Sequence, residues 1–151
     1  MLKQKIFLGA DHAGFKLKEE IKKYLAKKGF EVEDIGTHSL EPDDDYPDFI
    51  APVAKKVSRS EKYRGIIFGG SGQGEAIAAN KVKGIRAAVY YGSNMKIVRL
   101  SRTHNNANIL SLGARFLSKK EAVKAVELWL STGFSNEPRH IRRIKKVGMI
   151  R

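Results

Sequence analysis

Five short apolar runs are spaced along the chain, separated in strict alternation by polar loops and by stretches whose apolar residues recur at helical spacing. That alternation constrains the fold more than any other feature. Strands joined through helices pair in parallel, which builds a doubly wound α/β sheet. KIFLGA (5–10) precedes a helix with Leu17, Ile21, Tyr24 and Leu25 at helical spacing, and Gly29 stops that helix as a C′ glycine does. FEVEDIG (30–36) alternates apolar and acidic residues as a second strand would. The polar loop THSLEPDDDYPD (37–48) then leads into an amphipathic stretch that runs through Val57. RGIIFGG (64–70) is a continuous apolar run broken by glycines, which suits a strand buried on both faces, and AIAANKV follows as helix. GIRAAVYYG (84–92) and ANILSLG (107–113) are the fourth and fifth strands, with NMKIVRLSR as the helix between them. KKEAVKAVELWLST (119–132) places Ala122, Val123, Val126, Leu128 and Trp129 on a long helix, and a basic helix follows from about residue 137. The expectation is a single Rossmann-like three-layer α/β domain over residues 1–151. Its five-stranded parallel sheet carries helices on both faces and takes ligands at the carboxyl ends of the strands.

At 151 residues the chain can bury roughly 68–70% of its unfolded surface, enough for one core. The absence of cysteine excludes disulfides, thiolate metal sites and a cysteine nucleophile. No apolar run reaches the length of a membrane span and MLKQKIFLGA is too short for a secretory core, so a cytoplasmic location without a membrane partner is the default expectation. A net charge of +13, from 29 basic against 16 acidic side chains, invites a nucleic-acid reading. Against it, most lysines lie in stretches such as KLKEEIKKYLAKK (16–28), where both signs of charge share a solvated face. No zinc-finger spacing, aromatic stacking motif or basic zipper occurs, and no nucleic-acid partner is expected.

Between the third strand and its helix lies GGSGQGEAIAANK (69–81), with four glycines in six positions. Gly69 and Gly74 have Walker spacing, but Glu75 stands where the lysine belongs, and a dinucleotide fingerprint starting at Gly70 and Gly72 fails at that same residue. The loop suits an oxyanion nest at a helix N-terminus, or simply a tight turn. Glu75 is either a first-turn acid offsetting the helix dipole or a carbon-acid base, its pKa lowered by the helix end and raised by any burial. His12 and His104 sit in polar loops, DHAG and RTHNNAN, and the four histidines (12, 38, 104, 140) show no metal-ligand spacing. Arg139 and Arg143, four apart, form a solvated basic face or a clamp for a phosphorylated small molecule.

GADHAGFKLKEEI, DYPDFI, GGSGQGEAIAANKVKGIRAA, THNNANILSLGAR and RHIRRI resemble, in order, the signature segments of the ribose-5-phosphate isomerase type B family, which also includes galactose-6-phosphate isomerase subunits. The likeness runs from residue 5 to about 147. It implies an aldose–ketose isomerase working through a cis-enediolate with no metal and no redox cofactor. By this resemblance His104 opens the furanose ring, Asp11 binds sugar hydroxyls and Glu75 moves a proton between C2 and C1. The amides of Gly70, Ser71, Gly72, Gln73 and Gly74 stabilise the enediolate, and Ser71 assists proton movement between its oxygens. His12, Arg115, Arg139 and Arg143 hold the phosphate, with Tyr46 and Asn105 as further pocket residues. Because the family's sites lie between subunits, a homodimer or a pair of dimers is implied. Some members carry a cysteine base where this chain has Gly69, and others a glutamate at the position of Glu75. The second pattern favours ribose 5-phosphate over allose or galactose 6-phosphate. Isomerisation of a hexose 6-phosphate is the alternative. From another class, a non-catalytic nucleotide-binding module is the rival, and it gives Glu75 no purpose.

Overall fold

A computed structural model describes residues 4–150. The elements in chain order are β1 (Lys5–Ala10), α1 (Phe15–Lys27), β2 (Glu31–Gly36), α2 (Pro47–Val57), β3 (Tyr63–Gly69), α3 (Gln73–Asn80), β4 (Ala87–Tyr90), α4 (Lys96–Thr103), β5 (Ile109–Gly113), α5 (Lys119–Ser131) and α6 (Pro138–Gly148). All five strands are parallel, in the order β2-β1-β3-β5-β4. The chain therefore starts inside the sheet, adds β2 on one side and crosses to β3 on the other. Loops leaving β1 and β3 diverge at that switch, which opens a crevice at their carboxyl ends.

Period-two alternation sends strand residues into two cores. Ile6, Leu8, Ile66, Phe68 and Leu112 pack beneath α1, α4 and α5 against Ile21, Leu25, Val98, Val126 and Trp129. Phe7, Ile67 and Ile109 face the other way, under α2 and α3, against Ile50, Val53, Val57 and Ala79. Strands buried on both faces explain why RGIIFGG reads as an unbroken apolar run. Helix α5 opens with a capping box, in which the Ser118 hydroxyl accepts the Glu121 N–H at 3.1 Å and the Glu121 carboxylate accepts the Ser118 N–H at 3.0 Å.

Three local expectations change. The fourth strand is shorter than residues 84–92, because Asn108 pins the residues before it: its side chain accepts the Arg86 N–H at 2.8 Å and donates to the Gly84 carbonyl at 2.9 Å. Helix α3 starts at Gln73, before the AIAANKV run, so Glu75 lies in its first turn. The solvated-face expectation fails at Lys18, which is fully buried and pairs with Asp34 at 2.6 Å, while Lys22 joins the same carboxylate oxygen at 3.0 Å. Helix α6 differs from the others: His140 is its one buried residue, and Ile141 and Val147 are exposed.

Candidate active site

Three adjacent strands deliver their loops to the crevice. Ala10 of β1 sits beside Phe68 of β3, and Gly69 beside Gly113 of β5, so Asp11, the glycine loop and Arg115 leave the sheet side by side. A Cβ at position 69 would fall directly on the Glu75 carboxylate. Bare backbone at Gly69 is the space in which that carboxylate lies. Gly72 caps α3 with φ +81°, a conformation that favours glycine, and its carbonyl accepts the Ser111 hydroxyl at 2.6 Å. The Arg115 guanidinium lies against Gly70 and the Tyr46 ring against Gly74. The Ser71 hydroxyl accepts the Gln73 N–H at 3.3 Å. Asp11, His12, Tyr46, Gly70 to Gly74, Glu75 and Arg115 are thus gathered at one end of the sheet.

Two of the carboxyl groups gathered there, Glu75 and Asp11, are buried. Glu75 is 4% exposed, and burial raises its pKa above the usual carboxylate range. Its own N–H and that of Gly72 pull the value down, while the Asp11 charge pushes it up, and burial prevails over the helix end. A carboxylate so placed is a stronger base when ionised. Asp11 is itself buried and accepts the Gly14 N–H at 3.2 Å. His12 is held above the ordinary imidazole range by its bond to Asp44, Nδ1 to Oδ1 at 2.7 Å. Asp11, His12 and Asp44 bring oxygen and nitrogen atoms within 4.8 Å of one another, the one such grouping among the described residues. The His12–Asp44 bond occupies the ring nitrogen that faces it, and the group reads as an ion pair.

The remaining candidates lie at the opposite end. His104 and Asn105 follow α4, ahead of β5, and β5 spans roughly 16 Å between them and the crevice. Arg102 and Arg86 build this loop: Arg102 donates to Asn106 Oδ1 at 2.8 Å and to the Ala107 carbonyl at 2.7 Å, and Arg86 Nε donates to the Asn106 carbonyl at 2.9 Å. Burial, with Arg64 and Arg86 nearby, lowers the Arg102 pKa to about 10. The His104 ring stacks on His140, centroids 4.2 Å apart, and the His140 Nδ1 lies 2.8 Å from the Ser135 hydroxyl. That contact ties the loop to the start of α6, where Arg139 pairs with Glu137 at 2.9 Å and Arg143 stands exposed one turn on.

Sequence reasoning missed Asp44, Ser111, Arg102 and His140. Asp44 is the middle of three consecutive aspartates, of which Asp43 and Asp45 are exposed, and nothing in the run distinguishes it. Ser111, inside an otherwise apolar strand, was the one visible signal.

Known proteins share this fold over nearly the whole chain. The family model described as Ribose/Galactose Isomerase matches residues 6–147. Ribose-5-phosphate isomerase B of Mycolicibacterium paratuberculosis is 41% identical over 140 residues, covering 93% of this chain and 87% of that protein. The solved structure of Clostridium thermocellum ribose-5-phosphate isomerase B matches with TM-score 0.90 and 49% identity over 95% of each chain. That of the Mycoplasma genitalium ribose-5-phosphate isomerase B, with bound ribulose 5-phosphate, matches with TM-score 0.90 and 43% identity over 95% of this chain and 93% of that one. A match across both ends of the sheet, at this identity, means that the chain belongs to the ribose/galactose isomerase family.

Proposed function

We propose that this protein interconverts ribose 5-phosphate and ribulose 5-phosphate, with Glu75 as the base that carries the proton between C2 and C1. The observation behind the reading is the carboxylate itself, buried over Gly69 at the mouth of the glycine loop with a raised pKa. The activity named for the relatives, and the ribulose 5-phosphate bound in the Mycoplasma genitalium structure, support the substrate.

Glu75 takes the proton from C2 while charge builds on the carbonyl oxygen at C1. The amides of the Gly70–Gly74 loop, at the positive end of α3, are the donors to that oxygen. Donors of this kind are worth on the order of 2.7–4 kcal/mol each where one has been removed from an oxyanion hole. Ser71 passes the hydroxyl proton from O2 to O1, and Glu75 returns its proton to C1, leaving the ketone at C2. Asp11 and Tyr46 hold sugar hydroxyls. His12 and Arg115 bind the phosphate, far enough from the reacting carbons for that binding to fix the sugar in reactive geometry.

Ring opening by His104 and phosphate binding by Arg139 and Arg143 require a second copy. Those residues stand at the amino end of their own sheet, and on this reading a two-fold partner brings its amino end to this crevice. The exposed Ile141 and Val147 of α6 fit a helix that packs on another subunit. A coupled assay over ribose, allose and galactose phosphates tests the substrate: ribose 5-phosphate is expected to give the highest kcat/KM, and faster turnover of a hexose 6-phosphate contradicts the assignment.

A further inference from the structure

We propose that Asp44 is a positioning residue, which holds His12 in the orientation and charge state that the substrate phosphate needs. The inference rests on the reading of His12 as a phosphate ligand. Asp44 lies 32 residues away in sequence, on the loop between β2 and α2, yet its Oδ1 accepts the His12 backbone N–H at 3.2 Å and meets the ring Nδ1 at 2.7 Å. One oxygen thereby fixes both the main chain leaving β1 and the imidazole. A carboxylate only accepts, so Nδ1 must carry a proton, and Nε2 is the ring atom left for a ligand. On a neutral ring that atom would be an acceptor turned against phosphate oxygens. On the imidazolium it is a donor.

The surroundings select the imidazolium. The Asp44 side chain is 9% exposed, and its Oδ2 is buried with no hydrogen-bond partner among the described residues. A desolvated carboxylate calls for a cation, and the cation in contact with it is His12. The charged groups facing the ring are Asp44 from its loop, Asp11 from the β1–α1 loop and Arg115 after β5. The Asp44 bond is the largest influence on His12 and raises its pKa. Burial and Arg115 act downward without reversing it.

Asp44→Asn keeps the acceptor and removes the charge. Relative to wild type at each pH, its KM for ribose 5-phosphate is expected to match well below the ordinary imidazole value of about 6.5, where both rings are protonated, and to rise as pH increases. The rise reaches about tenfold for each pKa unit lost by the ring, with kcat held. The titration of the substrate phosphate is common to both proteins and cancels. His12→Gln, measured in parallel, separates the two readings. If it leaves KM unchanged, His12 does not hold phosphate and the inference falls with that reading. If it raises KM while Asp44→Asn tracks wild type from pH 6 to about 8.5, the inference alone is overturned. Titration of the imidazole nitrogens of wild-type protein by NMR gives a check free of folding effects. A His12 pKa at or below the ordinary value of about 6.5 overturns the proposal.

Discussion

The two ends of the sheet are built on opposite principles. At the carboxyl end, Glu75 and Asp11 are buried and bonded to backbone, Glu75 lying over Gly69, so the chemistry proposed above falls on atoms already fixed within one chain. At the amino end, His104, Asn105, Arg139 and Arg143 are exposed, carried by a loop and by a helix whose one buried residue is His140. A carboxylate's pKa is shifted where it is buried, at the first end. On the function proposed above, the groups that capture a charged sugar wait in water until a second copy seats them.

The largest expected effect breaks the first end. Glu75→Gln should lower kcat by roughly 10²- to 10⁴-fold, the contribution of a positioned base, as read by the coupled assay. Its melting temperature should equal or exceed that of wild type near neutral pH. Burial raises the carboxyl pKa, so this group's contribution to stability is present at low pH and lost as pH rises through that value. For the same reason kcat/KM of wild type should fall on acidification at a pH above the ordinary glutamate value of about 4.3.

A smaller effect addresses the second end. Arg139→Ala and Arg143→Ala should each raise KM by about 10- to 100-fold, as expected for a lost charge-assisted hydrogen bond, with kcat changing little. Unchanged KM in both returns α6 to a solvated basic face. The smallest effect on activity comes from a group at neither end. Asp34→Ala leaves the buried Lys18 without its closest partner and should cost about 3–5 kcal/mol in urea unfolding while kcat and KM stay at wild-type values.

The sequence displayed the carboxyl end better than the amino end, and the reason is locality. Glycines 69 to 74 and Glu75 form a continuous segment, so the anion loop and its acid were readable together. The burial that decides the Glu75 pKa depends on neighbouring strands and was open until β1 and β5 were placed. Lys18 looked solvated because its partner Asp34 comes from β2, beyond the helix and a turn. Asp44 could not be told from Asp43 and Asp45, since only the fold turns one of them toward His12. The place of His104 at the amino end follows from its position between α4 and β5, whereas the insertion of β5 between β3 and β4, which puts Arg115 beside the glycine loop, is an order that no local pattern encodes.

Mixing two inactive variants tests the central claim, that one site takes its base from one copy and its ring-opening histidine from another. Glu75→Gln and His104→Ala chains, unfolded together and refolded at equal concentration, should recover about a quarter of the wild-type rate, because half the dimers are mixed and each of those has one intact site of two. Activity no higher than the sum of the separate variants would place both residues in a site within a single chain and contradict the account.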